Sequence, residues 1–456
     1  MNDNPIVVQT LLTGTIALIL WGFIWFRSIR RTLGWLGPTS LFASGLIVLY
    51  IIPSLYWQFR PWNYMYPPYF DGLPLVMFGA IILAIPFLFD SLRRRQAQSM
   101  RPWDQLVHEN YGDMLWLALI PILLGIAYRL YLFSQGYQGR NDREVIYILD
   151  SENLALIVSN FAFYFPIFYY LLILLGNRLQ RRSGMIFWVV DGLMQLMTLH
   201  RWAILIFIIR SCIFLVILGH KFTRRQIVMI ATACVITISI IGQAGLVSME
   251  RTTYVRYLGP LDFASVIGES ARYYFNTGQS KVGENALLDL IDDTMNRLYL
   301  ARSASAVMKS TPDVIPYFYG GTFRHILYAW IPRYFWPDKP TMLEIHLLTI
   351  LVMPGDMGTN PTGTIAELFV NYGFVAIFLG GILCLLLCRW QESVLQRKGN
   401  ALCAWLCVYP LMSIWFVWAD ANLTQRITEG LRGLLVFVIV RIFLRMAAHS
   451  PAQRDL

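Results

Sequence analysis

The sequence predicts an all-α, polytopic membrane protein: a transmembrane bundle of about eleven spans with one large extracytoplasmic loop. Three observations predict it. Only 14% of the 456 residues are charged, where soluble domains carry about 25%. The chain is 57% hydrophobic, its mean hydropathy is +0.52, and apolar runs long enough to cross a bilayer recur along it. Between those runs, arginine-rich loops alternate with aromatic or long loops.

The apolar runs fall at 6–26, 35–56, 74–92, 112–134, 153–176, 185–200, 201–219, 227–247, 365–388, 401–419 and 427–445. The first is too long for a signal-peptide core, and its arginines (Arg27, Arg30, Arg31) follow it instead of preceding it. It reads as the first span, with the N-terminus outside. Arg93, Arg94, Arg95 and Arg101, then Arg178, Arg181 and Arg182, then Lys221, Arg224 and Arg225, then Arg389, Arg397 and Lys398 mark the same side as Arg27. Cations gather in the short cytoplasmic loops, so this side is cytoplasmic, and the C-terminus with Arg445 and Arg454 falls there too. Three segments result: an N-terminal bundle of eight spans over 1–247, an outer loop over 248–364, and three spans within 365–456.

The net charge of +10 follows from this loop bias, so it does not indicate a nucleic-acid partner. All six cysteines (Cys212, Cys234, Cys384, Cys388, Cys403, Cys407) lie in apolar runs and read as packing residues, with neither a disulfide framework nor metal-ligand spacing. No phosphate-binding loop, zinc-protease motif, nucleophile elbow or dinucleotide fingerprint occurs, which excludes the common soluble enzyme classes and ATP-driven transport. No D-x-D stands in the outer loops, and no metal or cofactor is expected.

The outer loop is too long for a bare connector. Over Gly283–Ser310 it has a helical period: Leu287, Leu290, Ile291, Met295, Leu298, Tyr299 and Ala306 share one broad face, with Asp289, Asp292, Asp293 and Asn296 largely opposite. That pattern predicts an amphipathic helix lying on the membrane or on the bundle. The loop is rich in arginine, which suits phosphate because its planar fork binds two oxygens at once, although ion pairing with the loop's own acids is the plainer use. Arg251 and Arg256 follow a span end closely. Arg201, after His200, opens a span across a tight turn; it serves either to snorkel or to hold an anion at a helix start. Asp191 and Arg210 lie inside spans, where a charge is costly and usually paired, so a structural Asp191–Arg210 pair is expected.

Ile331–Pro340 reads Ile-Pro-Arg-Tyr-Phe-Trp-Pro-Asp-Lys-Pro. Its prolines stiffen the path, and its aromatics, flanked by Arg333 and Lys339, suit either an interfacial anchor or a sugar-phosphate. His346 is a loop histidine, open to a role as base or phosphate ligand. Glu367 stands at a span start after the flexible Gly355–Gly363 stretch, either as a carboxylate favoured by the helix dipole or as a catalytic group.

On these residues the chain resembles a known family. Tyr319-Gly-Gly through Ile331–Pro340, then Gly358-Thr-Asn-Pro-Thr-Gly-Thr-Ile-Ala-Glu-Leu-Phe-Val-Asn-Tyr-Gly373, look like the oligosaccharide repeat-unit polymerases of the Wzy type, which build O-antigen and related polysaccharides. The Thr198-Leu-His-Arg201 span start looks like their arginine-led helix, except that small residues often precede that arginine and Leu199 and His200 precede it here. The closest likeness covers about 60 residues, and the many-span layout with one late outer loop extends it. The resemblance implies an inverting, metal-independent glycosyltransferase of the C type in the bacterial cytoplasmic (inner) membrane. The donor would be a glycan on undecaprenyl pyrophosphate, the acceptor a second lipid-linked unit, with a chain-length regulator and a flippase as possible partners. Arg201, Arg251, Arg256, Arg333 and Lys339 would then hold the pyrophosphate, and Glu367 or His346 would serve as base. An O-antigen ligase, a lipid-linked oligosaccharide flippase and a non-catalytic scaffold are the other classes in view.

Overall fold

In a computed structural model of the chain, the described residues are 5–30, 37–59, 71–93, 112–134, 165–197, 207–212, 299–328 and 362–396, with isolated positions between 204 and 232 and at 295, 331, 336, 338, 423, 424, 427 and 442. Every regular element among them is helical. In chain order these are α1 (Pro5–Ile29), α2 (Pro38–Gln58), α3 (Leu73–Leu92), α4 (Leu119–Ser134), α5 (Pro166–Leu175), α6 (Arg178–Met197), α7 (Ala301–Ser310), α8 (Arg324–Tyr328) and α9 (Gly363–Gln396). Four are long and apolar enough to cross a membrane: α1, α2, α3 and the Gly363–Ser393 part of α9. The first three match their expected runs closely: 5–29, 38–58 and 73–92 against 6–26, 35–56 and 74–92. Two packing units form. One contains α1, α2, α3, α7, α8 and α9; the other contains α4, α5, α6 and residues 207–212.

Lipid supplies no hydrophobic drive between helices, so the first unit is held by close packing and interhelical polar bonds. Trp21, Phe42 and Phe87 pack their rings at its centre, with centroids 5.4 to 5.8 Å apart, and Trp21 Nε1 donates to the Ala80 carbonyl at 3.0 Å. Small residues set the closest approaches. A Cβ at Gly72 would lie 2.2 Å from the Ser305 carbonyl oxygen, and one at Gly79 would lie 2.9 Å from Ile365.

Helix α2 is interrupted where α7 enters. Residues Ile47–Ile51 form a π-helical turn, and Pro53 has no N–H to give the Leu49 carbonyl four residues before it. The Leu300 amide donates to that carbonyl at 3.1 Å. This anchors α7, whose small residues Ala301, Ser303, Ala304, Ser305 and Ala306 are all buried. The amphipathic surface helix expected over 283–310 is therefore, in its described part, an element enclosed by the bundle on most of its circumference. Residues 283–294 lie outside the described residues.

Helix α9 contains 34 residues, about 51 Å if straight, well beyond the ~30 Å of a hydrocarbon core. It is not straight. Tyr372 (φ −149°, ψ 31°) and Gly373 (φ 62°, ψ −147°) break it, and the half over 363–371 folds back on the half over 374–396. Leu368 lies against Gly380, Ile365 and Ile377 meet at Gly79, and the Phe369 and Phe374 rings are 5.0 Å apart. In one straight helix Leu368 and Gly380 would stand roughly 18 Å apart. The run expected as a span at 365–388 falls within the apolar Gly363–Ser393 stretch but is not one straight helix: 363–371 is a short buried helix beside 374–396. The expected boundary between outer loop and last spans, at 364–365, falls inside that short helix.

At the far end of α9, Arg389 bridges Asp90 of α3 (Nε to Oδ1, 3.0 Å, with a second bond from Nη2 to Oδ2) and Glu392 (2.7 Å), and Glu392 accepts from Thr39 of α2 at 3.1 Å. In the second unit α6 begins at Arg178, ahead of the apolar run expected at 185–200. Asn177 caps it, accepting from the Leu179 and Gln180 amides at 3.0 Å each, while Gln180 Oε1 accepts from the Asn177 amide at 2.8 Å.

Gly72→Ala should force apart α3 and α7 and destabilise the fold by roughly 1–3 kcal/mol. Gly373→Ala should cost a similar ~1–3 kcal/mol through backbone strain. Gly22→Ala, where a Cβ meets nothing within 4 Å, should leave stability unchanged or raised. Thermal melts in one detergent check all three; a Gly373→Ala melt equal to wild type would refute the strained turn.

Candidate functional site

Three carboxylates are buried among the described residues: Asp191, Glu367 and Glu392. Their partners separate them. Glu392 is ion-paired with Arg389. Asp191 is ion-paired with Arg129, accepts from the Tyr169 hydroxyl at 2.9 Å, and accepts from Gln195 Nε2 at 3.0 Å. The Arg129 guanidinium also lies over the Phe165 ring, 4.7 Å from its centroid. The cation on Asp191 is therefore Arg129, where Arg210 was expected; Arg210 is itself buried in the same unit. Arg129 sits inside the 112–134 run and was passed over in the sequence.

Glu367 differs from both. It is 1% exposed, and no Lys or Arg among the described residues ion-pairs with it. The Thr424 amide donates to Oε2 at 3.2 Å, and the Thr322 and Thr424 side chains stand beside the carboxyl. Oε1 makes no hydrogen bond within the described residues. A buried carboxyl without a cation is costly, and such groups concentrate at functional sites.

The short helix 363–371 carries Glu367, and the chain at 317–322 straps its C-terminal end. Breaking α9 leaves carbonyls without helical donors. The Phe318 amide donates to Val370 O at 2.9 Å and the Tyr319 amide to Asn371 O at 3.2 Å. Asn371, fully buried, completes the strap: its Oδ1 accepts from the Gly320 amide at 2.9 Å, and its Nδ2 donates to Thr322 Oγ1 at 2.7 Å and to the Glu367 carbonyl at 2.8 Å. The strap is bent to fit, with Tyr319 (φ 47°) and Gly320 (φ 85°) both left-handed. It presents Tyr319, 69% exposed, edge-on to Tyr372 at 5.8 Å. Past Thr322, α8 places buried His325 with Nδ1 2.5 Å from the Tyr328 hydroxyl, and Trp336 packs against Tyr328 at 5.6 Å.

Of the residues expected to form the site, the structure places Glu367, Asp191 and Arg210. Arg201, Arg251, Arg256, Arg333, Lys339 and His346 lie outside the described residues. Thr322, Asn371 and His325 were missed. For Asn371 a signal existed: Asn-Tyr-Gly inside an apolar run is a helix-stop pattern.

Asn371→Ala removes three hydrogen bonds, two of them from the side-chain amide donor, and should destabilise the fold by roughly 1–3 kcal/mol. Asn371→Asp should not restore it, because a carboxylate cannot donate to the Glu367 carbonyl. Detergent melts of both variants check this; an Asp variant as stable as wild type would contradict the strap. In the second unit, Asp191→Asn should lower stability by about 3–5 kcal/mol by leaving Arg129 uncompensated, with Asp191→Asn/Arg129→Gln recovering part of the loss. A purely additive double-mutant cycle would deny the pair.

No protein-family model, curated protein or solved structure matches the chain.

Proposed function

We propose that the protein is an inverting, metal-independent glycosyltransferase that polymerises undecaprenyl-pyrophosphate-linked oligosaccharide units on the outer face of the bacterial cytoplasmic membrane. The fold in this reading is a bundle of about eleven spans of the C-type glycosyltransferase kind. The observation that carries the reading is Glu367, the one buried carboxylate among the described residues that no described Lys or Arg ion-pairs, with the Thr424 amide donating to it and the Thr322 and Thr424 side chains beside it. Charge bias supports its position. The loops after Arg27 and Arg93 and the Arg389 end of α9 belong to the cytoplasmic side, so the turn at Tyr372–Gly373, at the opposite end of the 374–396 stretch, faces outward.

The chemistry is a single displacement. An acceptor hydroxyl attacks the anomeric carbon of the donor glycan. The new glycosidic C–O bond forms as the anomeric carbon–phosphate oxygen bond breaks, and undecaprenyl pyrophosphate leaves with the bonding electrons. The hydroxyl proton passes to a base. Glu367 is our assignment for that base, with His346 the second candidate. Negative charge grows on the departing pyrophosphate, and fixed guanidinium groups lower its cost without a metal. Arg201, Arg251, Arg256 and Arg333, with Lys339, are our assignments there.

One observation favours a second class. Asp191 and Arg210 are buried within apolar runs and Arg129 is half-buried within another, as in a flippase that carries its substrate through the bundle. The Arg129–Asp191–Tyr169–Gln195 network is, however, internally satisfied, which suits a structural bond better than a moving anion's path.

The test is purified protein with a lipid-pyrophosphate-linked repeat unit in EDTA, read as a glycan ladder. A ladder is expected from wild type, with the rate reduced about 10²-fold or more in Glu367→Gln and Arg201→Ala. Transfer to lipid A-core in place of a ladder would make the protein a ligase. Neither product from folded protein, with transbilayer movement of the lipid-linked unit, would make it a flippase.

A further inference from the structure

We propose that the groove lined by Arg178, Arg181 and Arg182 holds the phosphate of an anionic phospholipid, with an acyl chain of that lipid lying along the exposed face of α6. This inference does not rest on the glycan-transfer reading.

The three arginines share an open groove of about 790 Å³ with Gly176, Met185 and Ile186. All three are exposed, and none ion-pairs with an acid among the described residues. Arg181 Nε donates to the Gly176 carbonyl at 2.8 Å, which steadies the guanidinium and leaves its two Nη groups for a ligand. Other cations on the same side are used within the protein. Arg27 and Arg30 lie over the Phe23 and Phe26 rings, at 5.4 and 4.2 Å, and Arg389 holds Asp90 and Glu392. The α6 cluster has no such use, and it has a cost. Arg178 stands three and four residues from Arg181 and Arg182, so like charges adjoin on the helix. They adjoin in its first turns, where no acid stands and the helix dipole is already positive. An anion in the groove offsets both penalties, and the planar fork of arginine suits phosphate oxygens.

The surface that continues from the groove identifies the anion. Arg178, Arg182, Ile186, Val189, Leu193 and Leu196 follow one another at steps of three or four residues, so they share one helix face, and all are exposed. The opposite face, with Gln180, Gly184, Asp191 and Gln195, is buried. From Ile186 to Leu196 the helix rises about 15 Å, half of a ~30 Å hydrocarbon core and so the depth of one leaflet. Cations followed by one leaflet of apolar surface match the order of groups in a phospholipid. Neither free phosphate nor an acidic protein segment would use that apolar face. A zwitterionic lipid would use the face and leave the arginines uncompensated. Charge bias puts the groove on the cytoplasmic side, where anionic headgroups attract basic segments.

The experiment is native mass spectrometry of the full chain in detergent, titrated with dioleoyl-phosphatidylglycerol and separately with dioleoyl-phosphatidylcholine, which carry the same chains. Each arginine should contribute about fivefold, so wild type should retain one phosphatidylglycerol about a hundredfold more tightly than phosphatidylcholine. Arg178→Gln and Arg182→Gln should each lower that preference about fivefold, and the triple glutamine variant should abolish it. Arg182→Lys should keep most of it, and Arg225→Gln, at an exposed cation outside the groove, should leave it unchanged. The substituted side chains are exposed, and circular-dichroism melts equal to wild type check that the variants fold. Ile186→Ser/Val189→Ser should weaken both lipids alike and leave their ratio intact. Equal retention of the two lipids by folded wild type overturns the proposal, as does a preference that survives the triple variant. Inorganic phosphate that binds as tightly as phosphatidylglycerol would make the groove a site for the free anion and overturn the lipid assignment.

Discussion

The Leu49 carbonyl sits inside an apolar helix, and Pro53 cannot give it a hydrogen bond. An unsatisfied carbonyl in hydrocarbon costs several kcal/mol, so the chain has to bring it a donor from elsewhere. The donor is the Leu300 amide, about 250 residues later in the sequence. The same requirement recurs at the broken end of the helix over 363–371, where the Val370 and Asn371 carbonyls take the Phe318 and Tyr319 amides. Both donors flank one short stretch of chain. Satisfying two helix breaks therefore fixes the two ends of α7 and its exit strap, and the arrangement around Glu367 follows from that.

Charge is distributed by the same rule. The three carboxylates buried among the described residues differ in the donors they meet. Asp191 and Glu392 each hold a guanidinium, at the core of one unit and at the Arg389 end of the other. These pairs tie helices together: Arg389 joins α9 to α3 through Asp90, and Glu392 reaches Thr39 of α2. Glu367 ties less. It holds the amide of Thr424 and leaves Oε1 without a hydrogen bond among the described residues. A group kept for structure alone would be better replaced by an apolar residue of similar volume.

Legibility in the sequence followed the physics of each feature. α1, α2 and α3 were readable because a bilayer imposes one length and one composition on any crossing helix. The hairpin in α9 was not, because 363–371 and 374–396 are alike in apolar composition, and only Asn371-Tyr372-Gly373 separates them. The start of α6 was displaced because hydropathy ignores caps: Asn177 begins a helix through Arg178, Arg181 and Arg182 that an apolar window excludes. Glu367 could be singled out as an acid in an apolar run, yet its setting depends also on Thr322 and Thr424, which are distant in sequence and unremarked by any spacing rule. Arg129 was open to the argument applied to Asp191, that an intramembrane charge needs a partner. The nearer Arg210 drew the pairing instead, because proximity along the chain says little about proximity across a bundle.

Asn371 links these features into one mechanical unit. Its side chain joins the strap at Gly320 and Thr322 to the carbonyl of Glu367, so the strap and the carboxylate's own backbone share a single amide group. Tyr319 and Tyr372 project from the two pieces of chain that this amide joins. The Asn371 side chain reaches Gly320, Thr322 and the Glu367 carbonyl through bonds of 2.7 to 2.9 Å. A buried acid keeps one setting only if the chain around it is held, and the buried Asn371 amide, bonded to Gly320, Thr322 and the Glu367 carbonyl, supplies that hold with very few residues.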